Sequence, residues 1–60
     1  MTNYTKTRVS ALELAHYAPT HWQYVDVTDR QRKRQVGPIY ATKLEALADL
    51  EAYAKRGGWQ

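Results

Sequence analysis

Between Thr42 and Gly58 the apolar residues of the chain recur at helical spacing. Leu44, Leu47, Leu50 and Ala54 are three or four apart, with Ala46 and Tyr53 widening the same face and Glu45, Asp49 and Arg56 opposite. Thr42 followed three residues later by Glu45 has the spacing of a capping box. Lys55 and Arg56 suit the negative end of a helix dipole, and Gly57 suits the left-handed residue that stops a helix. The pattern predicts a helix over 43–56.

Upstream the period changes. Trp22 to Asp29 alternates and is rich in aromatic and β-branched residues, which predicts a strand over 22–29. A second, shorter strand is expected over 35–40, where Gly37 and Pro38 mark an edge or a bulge. Together the two runs read as an antiparallel hairpin. Ser10 to Ala18 repeats the capping-box spacing with Ser10 and Glu13 and ends before Pro19, so a short helix over 10–18 is expected, with a strand over 6–14 as the alternative. Residues 1–9 alternate weakly, as an edge strand or a loose arm would.

The expected fold is α+β in one domain spanning 1–60. A hairpin, extended to three strands if the N-terminal segment joins it, packs on a C-terminal helix. In the simple packing Val25 and Val27, with Ile39 or Val36, meet Leu44, Leu47 and Leu50. Trp22 and Tyr24 then point to the other sheet face.

Size sharpens this picture. A chain of 60 residues buries only about 60% of its unfolded surface, so a homodimer is expected to supplement its core. There is no cysteine to form a disulfide or a thiolate metal site, which fits a cytoplasmic protein. The first residues carry no apolar run, so neither a signal peptide nor a membrane span is expected.

The net charge of +3 matters less than its placement. Arg30, Arg32, Lys33 and Arg34 put four of nine cations into five residues at the expected hairpin tip. Such a cluster suits phosphate groups. On an open sheet face, Gln23 and Tyr24 would touch bases or sugars, and Trp22, Tyr24 and Tyr40 would stack on bases or anchor a protein partner.

Signals for catalysis and cofactors are missing. His16 and His21 are five apart across Pro19, which is not a metal spacing, and no carboxylate cluster completes them. Ser10, His16 and Asp26 spell a triad in composition only, since so small a domain has no deep pocket to hold one. No enzyme activity, cofactor or metal is expected.

Trp22, Val25, Asp29, Lys33, Thr42, Lys43, Glu45 and Ala46 together follow a strand, basic turn and capped-helix pattern. In this the chain resembles the arm-type DNA-binding domains at the N-termini of tyrosine recombinases such as phage integrases. The resemblance covers about half of the chain. It implies a small sheet packed on one C-terminal helix, with the exposed sheet face entering the DNA major groove. The family has three strands before its helix, whereas here a helix-like segment precedes the hairpin. There is no recombinase catalytic domain in this sequence. A free-standing phage or plasmid accessory module is therefore the implied form. Two functions follow as expectations: a non-catalytic nucleic-acid-binding module, or a protein-interaction domain using the aromatic set.

Overall fold

The computed structural model describes residues 2–29 and 31–60. It is an α+β fold in which β1 (Asn3–Lys6), β2 (Leu12–Ala18), β3 (His21–Asp26) and β4 (Arg34–Tyr40) form an antiparallel meander in that order. Two short helices follow, α1 (Lys43–Ala48) and α2 (Leu50–Gly57).

The largest departure from expectation is at the N-terminal end. Residues 12–18 form a central strand, not a short helix, and residues 3–6 form an edge strand beside it. Both periods fit the segment L-E-L-A-H-Y-A. Two isolated helical turns are marginal in water, whereas a central strand has its backbone paired on both edges. Leu12, Leu14 and Ala15 are fully buried. Ser10 does not cap a helix; its hydroxyl donates to the Gln60 carbonyl at 3.1 Å, and the Ala11 N–H donates to the same oxygen.

Along β3 the sheet face is the reverse of the expected packing, while Val36 on β4 packs against the core as expected. Leu12 pairs with Asp26, Leu14 with Tyr24, and His16 with Trp22, so these residues share one face. The Tyr24 hydroxyl donates to the Ala46 carbonyl at 2.6 Å, which identifies that face as the one under the helices. Tyr24, not Val25, is therefore the centre of the core, with Leu12, Leu14, Ala46 and Leu50 around it. A buried tyrosine brings a large apolar ring but needs a partner for its hydroxyl, and the helix backbone supplies one. Val25 is buried on the opposite face, level with Glu13 on β2 and Gln35 on β4.

The helical stripe shifts to match. Ala46, Leu50, Tyr53 and Ala54 face the sheet, and small alanines let the backbone approach the tyrosine ring. Leu44 and Leu47, expected in the core, are instead 80% and 40% exposed. Thr42 caps α1 as expected, accepting from the Glu45 N–H at 3.1 Å. The single helix expected over 43–56 is divided at Asp49, whose backbone lies at φ −93° and ψ −2°. Its carboxylate accepts from the Tyr40 hydroxyl at 2.5 Å and from Arg56 at 3.3 Å. The left-handed stop falls on Gly58 (φ 71°), not Gly57, and the Trp59 N–H closes onto the Ala54 carbonyl at 2.8 Å.

In β4 the ladder slips: Val36 pairs with Tyr24 and Tyr40 with Trp22, leaving Gly37, Pro38 and Ile39 opposite Gln23 in a bulge. Gly37 has φ +75° and lies against the Tyr53 ring. Its missing side chain admits that ring, which stacks on Tyr24 at 5.7 Å.

Candidate functional site: the helix-free face of the sheet

Alternation along the strands decides what the open face carries. Opposite the helices, β1 presents Tyr4 and Lys6, β2 presents Glu13, Ala15 and Tyr17, β3 presents His21, Gln23 and Val25, and β4 presents Gln35. Ala15 and Val25 are buried there although no helix covers them. Lys33 reaches across this face. Its ammonium lies 3.1 Å from Glu13 Oε1 and 3.8 Å from the centroid of the Tyr4 ring. The long apolar stem of a lysine is suited to such a course, covering apolar side chains while its head stays wet.

Two aspartates build the basic connection. Asp26 Oδ1 accepts from the Thr28 hydroxyl at 2.6 Å and from the Thr28 N–H at 2.9 Å, closing the end of β3. These two bonds, the hydroxyl foremost, hold the Asp26 carboxyl below its ordinary range. Asp29 Oδ1 accepts from the Gln31 N–H at 2.9 Å, and its carbonyl accepts from the Arg32 N–H at 3.2 Å. The resulting turn projects Arg32 into solvent. Arg34 opens β4 opposite Asp26 and is exposed. Arg30 lies outside the described residues.

Charge is divided unevenly along the sequence. Residues 1–40 hold six cations and three carboxylates, so the whole net charge of +3 lies there. Residues 41–60 balance three cations with three carboxylates.

The expected site residues are thus only partly brought together. Lys33 and Gln23 lie on the open face, with Arg32 in the turn beside it. Gln23 is held by its own bonds, Nε2 donating to the Gly37 carbonyl at 3.1 Å and Oε1 lying 3.0 Å from His21 Nε2. Tyr24 is fully buried and has no surface to offer a ligand or partner. Trp22 and Tyr40 are half-buried beneath the helices, not on an open aromatic face. Trp22 stacks on His16 at 3.7 Å, and the Tyr40 hydroxyl is bound to Asp49. Burial pushes the Tyr24 hydroxyl up to about 12, with the Asp49 charge adding to the shift. It also raises Tyr40, reinforced by the hydrogen bond to Asp49.

The aromatic residues of the open face are Tyr4 and Tyr17, which the sequence reading passed over. Alternation through residues 3–6 and 12–18 contains the signal, once both are taken as strands.

A shallow depression at the sheet end, about 190 Å³, is lined by Asn3, His16, Tyr17, Ala18 and Pro19. It combines one imidazole with no carboxylate or nucleophilic hydroxyl beyond the Tyr17 phenol, so it assembles no acid–base pair. Among the described residues no group of His, Cys, Asp or Glu is placed to hold a metal ion. No helix among them is long and apolar enough to cross a membrane. No family model, curated protein or solved structure matches this chain, so a functional reading must rest on the geometry of this face.

Proposed function

We propose that the protein is a small non-catalytic nucleic-acid-binding module that meets the phosphate backbone with the helix-free face of its sheet. The observation that carries this reading is the pair of lysines, Lys6 and Lys33, on the open face with Arg32 in the turn beside it. Arg34, opposite Asp26, belongs instead to the helix side of the edge strand. Tyr4 and Tyr17 add ring surface for sugars or unstacked bases, and Gln35 adds an amide that hydrogen-bonds to base edges, while Gln23 is engaged by His21 and the Gly37 carbonyl. Tyr24 has no part in this contact. The order of sheet followed by C-terminal helix is in keeping with the resemblance to recombinase arm domains, while the fourth strand and the divided helix depart from it.

Glu13 opposes this activity, because its carboxylate sits in the middle of the face and occupies Lys33. That makes a sharp test possible. Fluorescence anisotropy with a labelled duplex should show an affinity that falls steeply with salt. About three phosphate contacts give a slope near −2.7, or about a 40-fold loss between about 50 and about 200 mM salt. Arg32→Glu and Lys6→Glu, both at exposed positions, should each weaken binding, whereas Glu13→Gln should tighten it by releasing Lys33. Absence of binding at low salt, or a Glu13→Gln variant that binds less tightly than the parent, ends this reading.

A further inference from the structure

Three rings cross the open face of the sheet. Tyr4 stands on β1, Tyr17 on β2 and His21 on β3, all on the side away from the helices. Tyr4 pairs with Ala15, so Tyr17, two positions on, is its diagonal neighbour on the adjacent strand. The Tyr17 and His21 rings follow at 5.0 Å between centroids, tilted by 56°. His21 is held in place by Gln23, whose Oε1 lies 3.0 Å from its Nε2. At the other end of the row the Lys33 ammonium stands over Tyr4, 3.8 Å from the ring centroid, and Lys6 lies on the same face two residues along β1.

We propose that the nucleic acid this face takes is single-stranded, with unpaired bases stacked on the Tyr4 and Tyr17 rings and phosphates on Lys33, Lys6 and Arg32. This rests on the nucleic-acid reading above and narrows its ligand. Three features select an unpaired strand. First, rings in a row offer π-faces, and the faces of bases are free only where the bases are unstacked. Second, the row runs across three strands, whereas a major groove about 12 Å wide admits a helix or a two-stranded ribbon, so a duplex cannot bring its base edges to all three rings. Third, Lys33 joins the two contacts. A phosphate that draws its ammonium off Tyr4 uncovers the ring for the neighbouring base, and base stacking on a ring is stronger than an exposed cation–π contact. The Gln23 amide already bonds within the molecule, so stacking rather than edge recognition dominates and binding tolerates many sequences.

Fluorescence anisotropy at about 0.2 M salt, with labelled oligodeoxyuridylate, oligouridylate and a duplex of equal length, tests this. At least one single strand should bind about five-fold or more tighter than the duplex, and the preference should widen as salt rises, because stacking is not screened. The two single strands differ in the 2′-hydroxyl, so the tighter one tells RNA from DNA. Tyr4→Leu, at a 41% exposed position on the edge strand, keeps apolar bulk but no ring. It should weaken single-strand binding about five-fold or more and spare the duplex, while Tyr4→Phe should bind like the parent. A duplex bound as tightly as both single strands overturns the proposal and leaves the phosphate-contact reading standing. So does a Tyr4→Leu variant that binds single strands like the parent, or one that weakens both ligands alike. A chain that binds neither ligand at low salt overturns both readings.

Discussion

Replacing Gly37 by alanine should destabilise the protein far more than an exposed strand glycine would suggest. The residue sits at φ +75°, where an L side chain adds left-handed strain of about 1 kcal/mol. A Cβ built there would lie 2.8 Å from Tyr53 Cζ and 2.9 Å from its Cε1. The Tyr53 ring has little room to yield, since it lies nearly parallel to Tyr24, with 7° between planes. Overpacking of this kind costs about 1–3 kcal/mol. The two effects together give about 2–4 kcal/mol, against a total of about 3–5 kcal/mol for a domain of this size. Urea titration followed by circular dichroism should find the variant largely unfolded or close to it. Gly37→Ala with Tyr53→Leu should recover part of the loss, because the leucine removes the atoms that collide. A Gly37→Ala midpoint indistinguishable from the parent would show that Tyr53 is not wedged between β4 and Tyr24, and the description of the core would fail with it.

Two further outcomes follow from titrating groups. Tyr24→Phe should lower stability by about 1 kcal/mol near neutrality, where the bond to Ala46 is lost. The folded Tyr24 hydroxyl is raised from 10.0 to about 12, so the stability it contributes is intact below pH 10 and lost as pH rises from 10 to 12. At about pH 11 the parent has lost about 1.4 kcal/mol from this source. The gap between parent and Tyr24→Phe in urea midpoints should therefore close there; a gap that persists contradicts the buried hydroxyl. Asp49 titrates in the opposite sense. The Tyr40 hydrogen bond holds its carboxyl low, so its contribution is present above the ordinary carboxylate range and lost as pH falls through the lowered folded value. Asp49→Asn should flatten the acid side of the stability profile, measured by thermal melts between neutral and acid pH. An unchanged acid limb would remove Asp49 from the account.

The sequence by itself determined the local events whose causes are local. Thr42 caps a helix because its side chain reaches an N–H three residues on. Gly37 and Pro38 interrupt β4 because proline cannot donate to the ladder. Trp22 to Asp26 is a strand because its branched and aromatic side chains suit a pleated surface. Only the tertiary structure decided which face of each element turns inward. Leu12 to Ala18 fits a helix or a strand equally well by composition, and β1 and β3 on either side make it a strand. Either face of Trp22 to Asp26 is apolar enough to bury. Tyr24 takes the inner one because Ala46 offers a carbonyl at 2.6 Å and too little bulk to keep the ring away. Alternation then places Tyr4, Tyr17 and Gln23 on the open side, with Lys33 reaching over it. The candidate site is thus a consequence of that one packing choice, which depends on contacts between residues far apart in the chain and is invisible to periodicity within any one segment.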